Sequence, residues 1–288
     1  MSSATSRPFA ARGGLALFRR SWSGPAQNPR VLVLVHGLAE HSGRYANFAE
    51  FLVGRGFRVH AYDHRGHGLS EGRRNDAPSF QHLVDDLARF LRVVRREEGE
   101  RPLALLGHSA GALIAGALLA QGAAGVSAAV LTAPALALPS WWDTPRERLA
   151  RLVVVIAPRF PVRTGVEPSD LSRDPEVVAS YVSDPMVRFH MALRLGAALL
   201  DGIADLRGRA GEIHTPVLLA YGTRDPLTPE EPIRRFAEGL LAPGSELRSY
   251  PDMRHEILNE RGNTEVYRDI AGWLDARMPA PARAGARP

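Results

Sequence analysis

The chain has 288 residues, enough for one large domain or two small ones around a substantial hydrophobic core. Its composition, with 45% hydrophobic and 23% charged residues, is ordinary for a soluble enzyme, and the absence of cysteine excludes disulfides and thiolate catalysis. The net charge of +5 does not indicate a nucleic-acid partner, because all 36 basic residues are arginines that are spread along the chain and interleaved with acidic residues.

The first half of the chain alternates strand-like and helix-like segments. Four runs rich in apolar residues are typical of strands buried on both faces: residues 31–37, 57–63, 102–108 and 126–134. Apolar residues at helical spacing follow each of the first three runs, at residues 45–54, 80–94 and 110–122. Alternating units of this kind predict a mostly parallel sheet with helices on both faces.

The second half of the chain breaks this alternation and then resumes it. Residues 135–212 contain several prolines and helix-like segments but no clean strand, whereas a buried strand pattern returns at residues 216–222. We therefore predict one α/β domain, with a core of residues 1–134 and 213–278 that carries a helical insertion. Residues 279–288 are rich in proline, alanine and glycine and are expected to be disordered.

The segment GHSAG, residues 107–111, lies where the third predicted strand turns into a helix. A G-x-S-x-G string in this context is typical of a nucleophile elbow, in which flanking glycines relieve crowding and the serine hydroxyl is exposed at the edge of the sheet. Ser109 is therefore a candidate nucleophile. The structural alternative is a serine that only caps the following helix.

A nucleophilic serine needs a histidine base and an acid that orients it, here in the chain order serine, acid, histidine. Asp225 follows the next buried strand, and His255 is the one histidine after it. We therefore predict a catalytic triad of Ser109, Asp225 and His255. The backbone N–H groups of Leu38 and Ala110 are the expected oxyanion donors, and this mechanism requires no cofactor and no metal.

Longer strings carry a resemblance to a known family. They are HGLAEHSGRY (residues 36–45), DHRGHGLSEG (63–72) and DPEVVASYVSDPMV (174–187), and together with GHSAG they closely resemble the monoacylglycerol lipase and lysophospholipase branch of the α/β-hydrolases. The resemblance covers residues 18–278. It implies the α/β-hydrolase fold and a serine esterase that releases fatty acid and glycerol from monoacylglycerol-like lipids through an acyl-enzyme on Ser109.

The resemblance also implies roles for the insertion and for the loop after the first buried strand. It makes residues 135–212 a cap that forms an apolar tunnel for the acyl chain. It places Glu40 and Arg44 near the polar end of the site. There they either contact a glycerol-like head group or hold, through a local ion pair, the loop of residues 36–45 that carries Leu38, which we call the oxyanion loop. One departure from the family is Ala110, where methionine is common, and this change alters the pocket volume but not the backbone N–H.

Other functions and sites stay open at the level of the sequence. A general carboxylesterase or a lysophospholipase would use the same triad, whereas a non-catalytic α/β-hydrolase that binds a ligand or a partner would usually lack a triad member. The expected partner is a small-molecule lipid ester, and no pattern indicates an oligomeric state. We interpret one polar loop as a structural hydrogen-bond network because it lacks recognisable metal-ligand spacing; its residues are Asp63, His64, Arg65 and His67.

One part of the insertion has the composition of a membrane-interface segment. Residues 140–160 combine two adjacent tryptophans, an apolar run and flanking arginines. These residues either contact a membrane transiently or line the acyl tunnel; the apolar ones are Trp141, Trp142, Leu152, Val153 and Ile156. No stretch approaches the roughly 18 apolar residues of a membrane span, and the N-terminus lacks a secretory-signal pattern, so we expect a cytoplasmic protein that is at most peripheral at a membrane.

Overall fold

The computed structural model describes residues 5–24, 28–137 and 153–278. The predicted disordered tail and residues 140–152 of the membrane-interface segment, among them Trp141, Trp142 and Leu152, lie outside these ranges. The strands in chain order are β1 (Thr5–Ser6), β2 (Phe9–Ala10), β3 (Ala16–Leu17), β4 (Arg19–Trp22), β5 (Arg30–Val35), β6 (Phe57–Tyr62), β7 (Leu103–His108), β8 (Ala128–Thr132), β9 (Pro161–Arg163), β10 (His190–Ala192), β11 (Val217–Gly222) and β12 (Glu246–Tyr250). The helices are α1 (Ala46–Gly54), α2 (Phe80–Glu98), α3 (Ala110–Ala120), α4 (Pro168–Leu171), α5 (Pro175–Ser183), α6 (Leu193–Leu206), α7 (Glu230–Glu238) and α8 (Asn263–Arg277).

Eight of these strands form one sheet in the order β1-β4-β6-β5-β7-β8-β11-β12. The six strands from β6 to β12 in this order are parallel to one another. At the other end of the sheet, β4 pairs antiparallel with β6. The mostly parallel sheet predicted from the alternating segments is therefore confirmed. The carboxyl ends of the parallel strands meet along one edge, which is where an α/β sheet places its functional loops.

Hydrophobic cores cover both faces of the sheet. In β5, Val31, Val33 and Val35 contribute to the core formed with α2 and α3, whereas Leu32 and Leu34 contribute to the core formed with α1 and α8. Successive side chains of a strand point to opposite faces, so a strand covered on both faces is apolar at every position. This arrangement explains why β5 appears in the sequence as a continuous apolar run.

Helix α3 is buried at all eleven of its residues. Small residues allow this close packing: a Cβ placed on Gly116 would lie 2.8 Å from a methyl carbon of Leu206 in α6. The helix that follows Ser109 is therefore enclosed between the sheet, α2 and a helix of the insertion.

The insertion lies between β8 and β11 and contains α4, α5 and α6 within its described part. The prediction of no strand in this region was wrong, because β9 and β10 form an antiparallel pair. Each strand has only three residues and most are exposed or half-buried, so neither shows an alternating apolar pattern.

The N-terminal strands β1 to β4 were not predicted either. The strand β4 is an outer strand of only four residues, of which Trp22 alone is buried, so it lacks the apolar run of a central strand. Within the described ranges, no helix is both long enough and apolar enough to cross a membrane.

Candidate active site

Ser109 lies at the sharp turn between β7 and α3. Its φ of +53° and ψ of −118° form a backbone conformation that a non-glycine residue adopts only when its surroundings hold it. A Cβ on Gly107 would lie 2.5 Å from the carbonyl oxygen of Gly111, and a Cβ on Gly111 would collide with the carbonyl oxygen of Val35 in β5. Both glycines of the G-x-S-x-G string are thus required by close backbone approach, and the turn presents Ser109 at the edge of the sheet.

Asp225 and His255 form a hydrogen-bonded pair on the loops after β11 and β12. His255 Nδ1 lies 2.8 Å from Asp225 Oδ2, and both side chains are buried. The carboxylate also accepts hydrogen bonds from the N–H groups of Leu227 at 2.8 Å and Thr228 at 3.1 Å, and from the Thr228 hydroxyl. These donors fix the carboxylate, which therefore accepts the Nδ1 proton of His255 and leaves Nε2 free to act as a base.

The environment sets the protonation of this pair. Burial alone would raise the pKa of Asp225, but the neighbouring His255 and the hydrogen bonds lower it. Burial alone would lower the pKa of His255, but the Asp225 carboxylate raises it above its ordinary value. The carboxylate therefore stays charged and stabilises a protonated imidazole.

Two residues of the predicted triad and both residues with an expected oxyanion donor line one cavity. Ser109, His255, Leu38 and Ala110 all line it. As the first residue of α3, Ala110 has a backbone N–H without an acceptor inside the helix. The loop that carries Leu38 runs close to the nucleophile, since a Cβ on Gly37 would lie 3.4 Å from the Cβ of Ser109.

A buried ionic network holds this loop. Glu40 accepts hydrogen bonds from the Gly37 N–H and the Tyr45 hydroxyl, both at 2.6 Å, and from Arg44 at 2.9 Å. The Arg44 guanidinium also forms a bidentate ion pair with the carboxylate of Glu256, in which Nη2 donates to Oε2 at 2.8 Å. Arg44 therefore joins the oxyanion loop to the residue that follows His255.

Burial is the main electrostatic influence on this network. Burial raises the pKa of Glu40, which Arg44 opposes. For Glu256, burial would also raise the pKa, but Arg44, the neighbouring His108 and the hydrogen bond from Asn259 together lower it. Both carboxylates also line a small cavity of about 20 Å³ that they share with Ser109 and His255.

The larger cavity is lined almost entirely by apolar side chains. It has a volume of about 150 Å³ and extends from Ser109 between the core and the described part of the insertion. Besides Ser109 and His255, the lining includes the apolar residues Leu113, Val162, Met191, Leu199, Leu200, Ile203 and Leu227. The lining residues that the structure describes suit an aliphatic chain, and they include no Asp, Glu or Arg that could pair with a charged one.

Some residues of the site were not predicted from the sequence. His108 packs its ring 4.8 Å from the ring of His255, and its Nδ1 lies 3.0 Å from the hydroxyl of Thr132. Burial is the main cause that lowers the pKa of His108 to about 3, so the ring stays neutral beside His255. Tyr181 of the insertion covers the guanidinium of Arg44, whose Cζ lies 4.6 Å from the ring centroid. In the sequence, the only indication that His108 and Glu256 belong to the site is that His108 directly precedes Ser109 and Glu256 directly follows His255.

The polar loop interpreted as a structural network is extensively hydrogen-bonded. The carboxylate of Asp63 accepts from two backbone N–H groups at 2.9 Å, and Arg65 pairs with Asp86 at 2.7 and 2.8 Å. His64 Nε2 lies 2.9 Å from the carbonyl oxygen of His36. In the part of the chain that the structure describes, no group of three or more His, Cys, Asp or Glu residues is arranged to hold a metal ion.

Comparisons with known proteins point to one protein family. The family model described as "Serine aminopeptidase, S33" matches residues 26–262. The monoacylglycerol lipase of Mycolicibacterium smegmatis is 34% identical over 96% of this chain and 99% of its own length, and the monoglyceride lipase of Mus musculus is 31% identical over 96% and 91%. The crystal structure of the Paleococcus ferrophilus monoacylglycerol lipase superposes with a TM-score of 0.82 at 33% identity, covering 91% of this chain and 99% of that one.

Proposed function

The chain belongs to the S33 serine hydrolases of the α/β-hydrolase fold and, within them, to the monoacylglycerol lipase family, and from this premise we propose that it is a serine esterase that hydrolyses monoacylglycerols. One observation carries the proposal: a serine on a strained elbow and a carboxylate-oriented histidine line the same apolar cavity. The general carboxylesterase is not favoured, since the relatives that are 34% and 31% identical over 96% of this chain are monoacylglycerol lipases.

The reaction follows from the roles of the three triad residues. His255 Nε2 takes the hydroxyl proton of Ser109 while Oγ forms a bond to the ester carbonyl carbon. The carbonyl oxygen becomes an oxyanion that accepts hydrogen bonds from the N–H groups of Leu38 and Ala110. Collapse breaks the ester bond, and glycerol leaves with the proton from His255. Water then repeats the sequence on the acyl-enzyme and releases the fatty acid.

Within this proposal, Glu40 and Arg44 have two functions. Their hydrogen bonds to the oxyanion loop and to Glu256 support a role in holding the loop. Glu40 and Glu256 also line the small cavity beside Ser109, so a head-group hydroxyl placed next to the serine can reach this polar end. The head group of a monoacylglycerol offers two free hydroxyls that can donate to carboxylates.

We further propose that residues 135–212 act as the cap over the acyl chain and that part of the cap contacts a lipid surface. Among the described cap residues, Val155, Ile156 and Phe160 are 80%, 88% and 58% exposed. Exposed apolar side chains of this kind are typical of an interaction surface when they cluster, and arginine at position 159 suits an anionic interface.

A liposome assay tests the lipid contact. Co-sedimentation with vesicles that contain anionic lipid is expected for the wild type and is expected to weaken in Ile156→Glu. Leu241→Glu is the matched control, because Leu241 is 75% exposed but lies outside the cap. Absence of sedimentation for the wild type, or equal loss in both variants, would count against the contact.

The decisive experiment for the function is fatty acid release from 1- and 2-monooleoylglycerol. Lysophosphatidylcholine, tributyrin, a short p-nitrophenyl ester and an aminoacyl nitroanilide serve as competing substrate classes, and Ser109→Ala is the control. Preference for monoacylglycerol that is lost in Ser109→Ala is the expected result. Turnover of short esters alone would reduce the function to general esterase activity, and turnover of the nitroanilide alone would indicate a peptidase.

A further inference from the structure

The cap contacts the oxyanion loop directly. The backbone N–H of Arg188 donates to the carbonyl oxygen of Ala39 at 3.2 Å, and His41 Nε2 lies 2.8 Å from Asp184 Oδ2. Asp184 ends α5 of the cap, whereas His41 lies three residues after Leu38. A carboxylate of the cap is thus linked to the loop that supplies one of the two oxyanion donors.

The hydrogen bond at Nδ1 of His41 shows which of its two ring nitrogens carries the proton. Nδ1 accepts a hydrogen bond from the Gly43 N–H at 3.1 Å and therefore carries no proton. The proton must then be on Nε2, which donates it to Asp184. The second carboxylate oxygen of Asp184 accepts from the Met186 N–H at 2.7 Å. Both oxygens are therefore engaged, one with the cap's own turn and the other with the loop.

The oxyanion loop needs such support because its backbone is strained. Ala39 has a φ of +65°, in the left-handed region that residues with a Cβ rarely adopt. A conformation of this kind costs on the order of 1–3 kcal/mol and persists only where its surroundings over-determine it. Before Ala39, the Gly37 N–H is held by Glu40; after it, the contacts through His41 and Arg188 hold the chain.

We infer that Asp184 is a positioning residue of the esterase, acting through His41 to keep the Leu38 N–H directed at the oxyanion. The inference rests on the proposed function and extends it, since it makes the cap a part of the catalytic apparatus as well as a cover for the acyl chain. The cap also contacts the loop after β12 that carries His255, because the N–H of Glu256 donates to the carbonyl oxygen of Leu171 in the cap at 2.8 Å. The cap thus supports both loops between which the reaction occurs.

Substitution of Asp184 tests the inference. Loss of an oxyanion donor costs on the order of 10²–10³ in rate, and a donor that is only less well positioned costs less. We expect Asp184→Ala to lower kcat for monoacylglycerol by about 10-fold to 100-fold, with KM changed less than about threefold, because the interaction is made only in the transition state. Asp174→Ala is the matched control, since Asp174 begins the same helix and caps it through the Glu176 N–H without contacting the oxyanion loop.

Two further measurements separate positioning from a general loss of structure. The affinity for a trifluoromethyl ketone, whose adduct with Ser109 places an oxyanion between the same donors, should fall in Asp184→Ala by the same factor as kcat/KM. His41→Gln, whose amide nitrogen can still donate to Asp184, should retain more activity than His41→Ala. The double variant of His41→Ala with Asp184→Ala should be no worse than the more impaired single variant, because both remove one interaction.

The rate of labelling by a fluorophosphonate distinguishes failure of this inference from failure of the proposed function. Labelling requires an activated Ser109 and the oxyanion donors but no particular substrate. If the wild type labels but does not hydrolyse monoacylglycerol, the proposed substrate is wrong, and slower labelling of Asp184→Ala than of Asp174→Ala still supports the inference. Equal labelling rates and equal kcat in these two variants, or an effect on KM alone, would overturn it.

Discussion

The buried neutral histidines predict that the fold loses stability in mild acid. Burial is the main cause that lowers the pKa of His64 and of His108 to about 3, whereas the same side chains in an unfolded chain titrate near 6.5. The folded state therefore leaves these imidazoles neutral while the unfolded state binds protons as the pH falls below 6.5. Their contribution to the free energy of unfolding is present above pH 6.5 and is lost progressively as the pH falls from there toward 3.

The size of the effect follows from the two pKa values. At pH 5 each imidazole is about 1.5 pH units below 6.5, and at about 1.36 kcal/mol per unit the unfolded state gains about 2 kcal/mol from each, or about 4 kcal/mol from the pair. The lowered pKa of His36 acts in the same direction. The raised pKa of His255 acts in the opposite direction and offsets part of the loss. A domain has a total stability of roughly 5–15 kcal/mol, so the loss is readily measurable.

Urea unfolding followed by tryptophan fluorescence between pH 8 and pH 5 measures this dependence. His64→Gln keeps a side-chain donor for the carbonyl oxygen of His36 but cannot be protonated, so its loss of stability between pH 7 and pH 5 should be smaller than that of the wild type by about 2 kcal/mol. His214→Gln is the control, because His214 is exposed, and it should follow the wild type. A wild-type curve that is flat over this range, or a His64→Gln curve parallel to it, would refute the reasoning.

Three further substitutions have expected outcomes. Gly111→Ala forces a Cβ against the carbonyl oxygen of Val35, so we expect a loss of more than about 2 kcal/mol in thermal unfolding together with loss of fluorophosphonate labelling; normal labelling would contradict the close approach. Asp225→Asn retains the volume of the carboxylate but removes its charge, and we expect kcat to fall on the order of 10⁴-fold with KM little changed, measured by initial rates over a range of substrate concentrations. Arg44→Met leaves two buried carboxylates without their cation, which should cost about 3–5 kcal/mol in chemical denaturation, whereas a cost below about 1 kcal/mol would show that the network adds little.

Features that depend on short stretches of chain were predictable from the sequence. The turn around Ser109 is determined by two glycines within a five-residue segment, and the strands of the sheet are apolar because both faces are covered. The order of the triad along the chain then limited the choice of histidine to His255. Local chemistry was enough for the turn and the strands, whereas the choice of histidine followed from the order of the motifs along the chain.

Features that depend on distant residues were not predictable. Arg44 and Glu256 are 212 residues apart, and nothing in either neighbourhood indicates that they meet. The link between His41 and Asp184 spans 143 residues and depends on how the cap lies on the core. The strands β9 and β10 were missed because three-residue strands bury too little apolar surface to leave a periodic pattern.

The complete burial of α3 has an electrostatic consequence at its first residue. Aligned peptide dipoles place about half a positive charge at the N-terminus of a helix, and in an exposed helix water screens most of it. Here the eleven residues of α3 are surrounded by the sheet, α2 and α6, so little solvent screens the field that reaches Ser109. An anion that forms beside Ser109 is therefore stabilised by the helix macrodipole, by up to about 2 kcal/mol, in addition to the single hydrogen bond from Ala110.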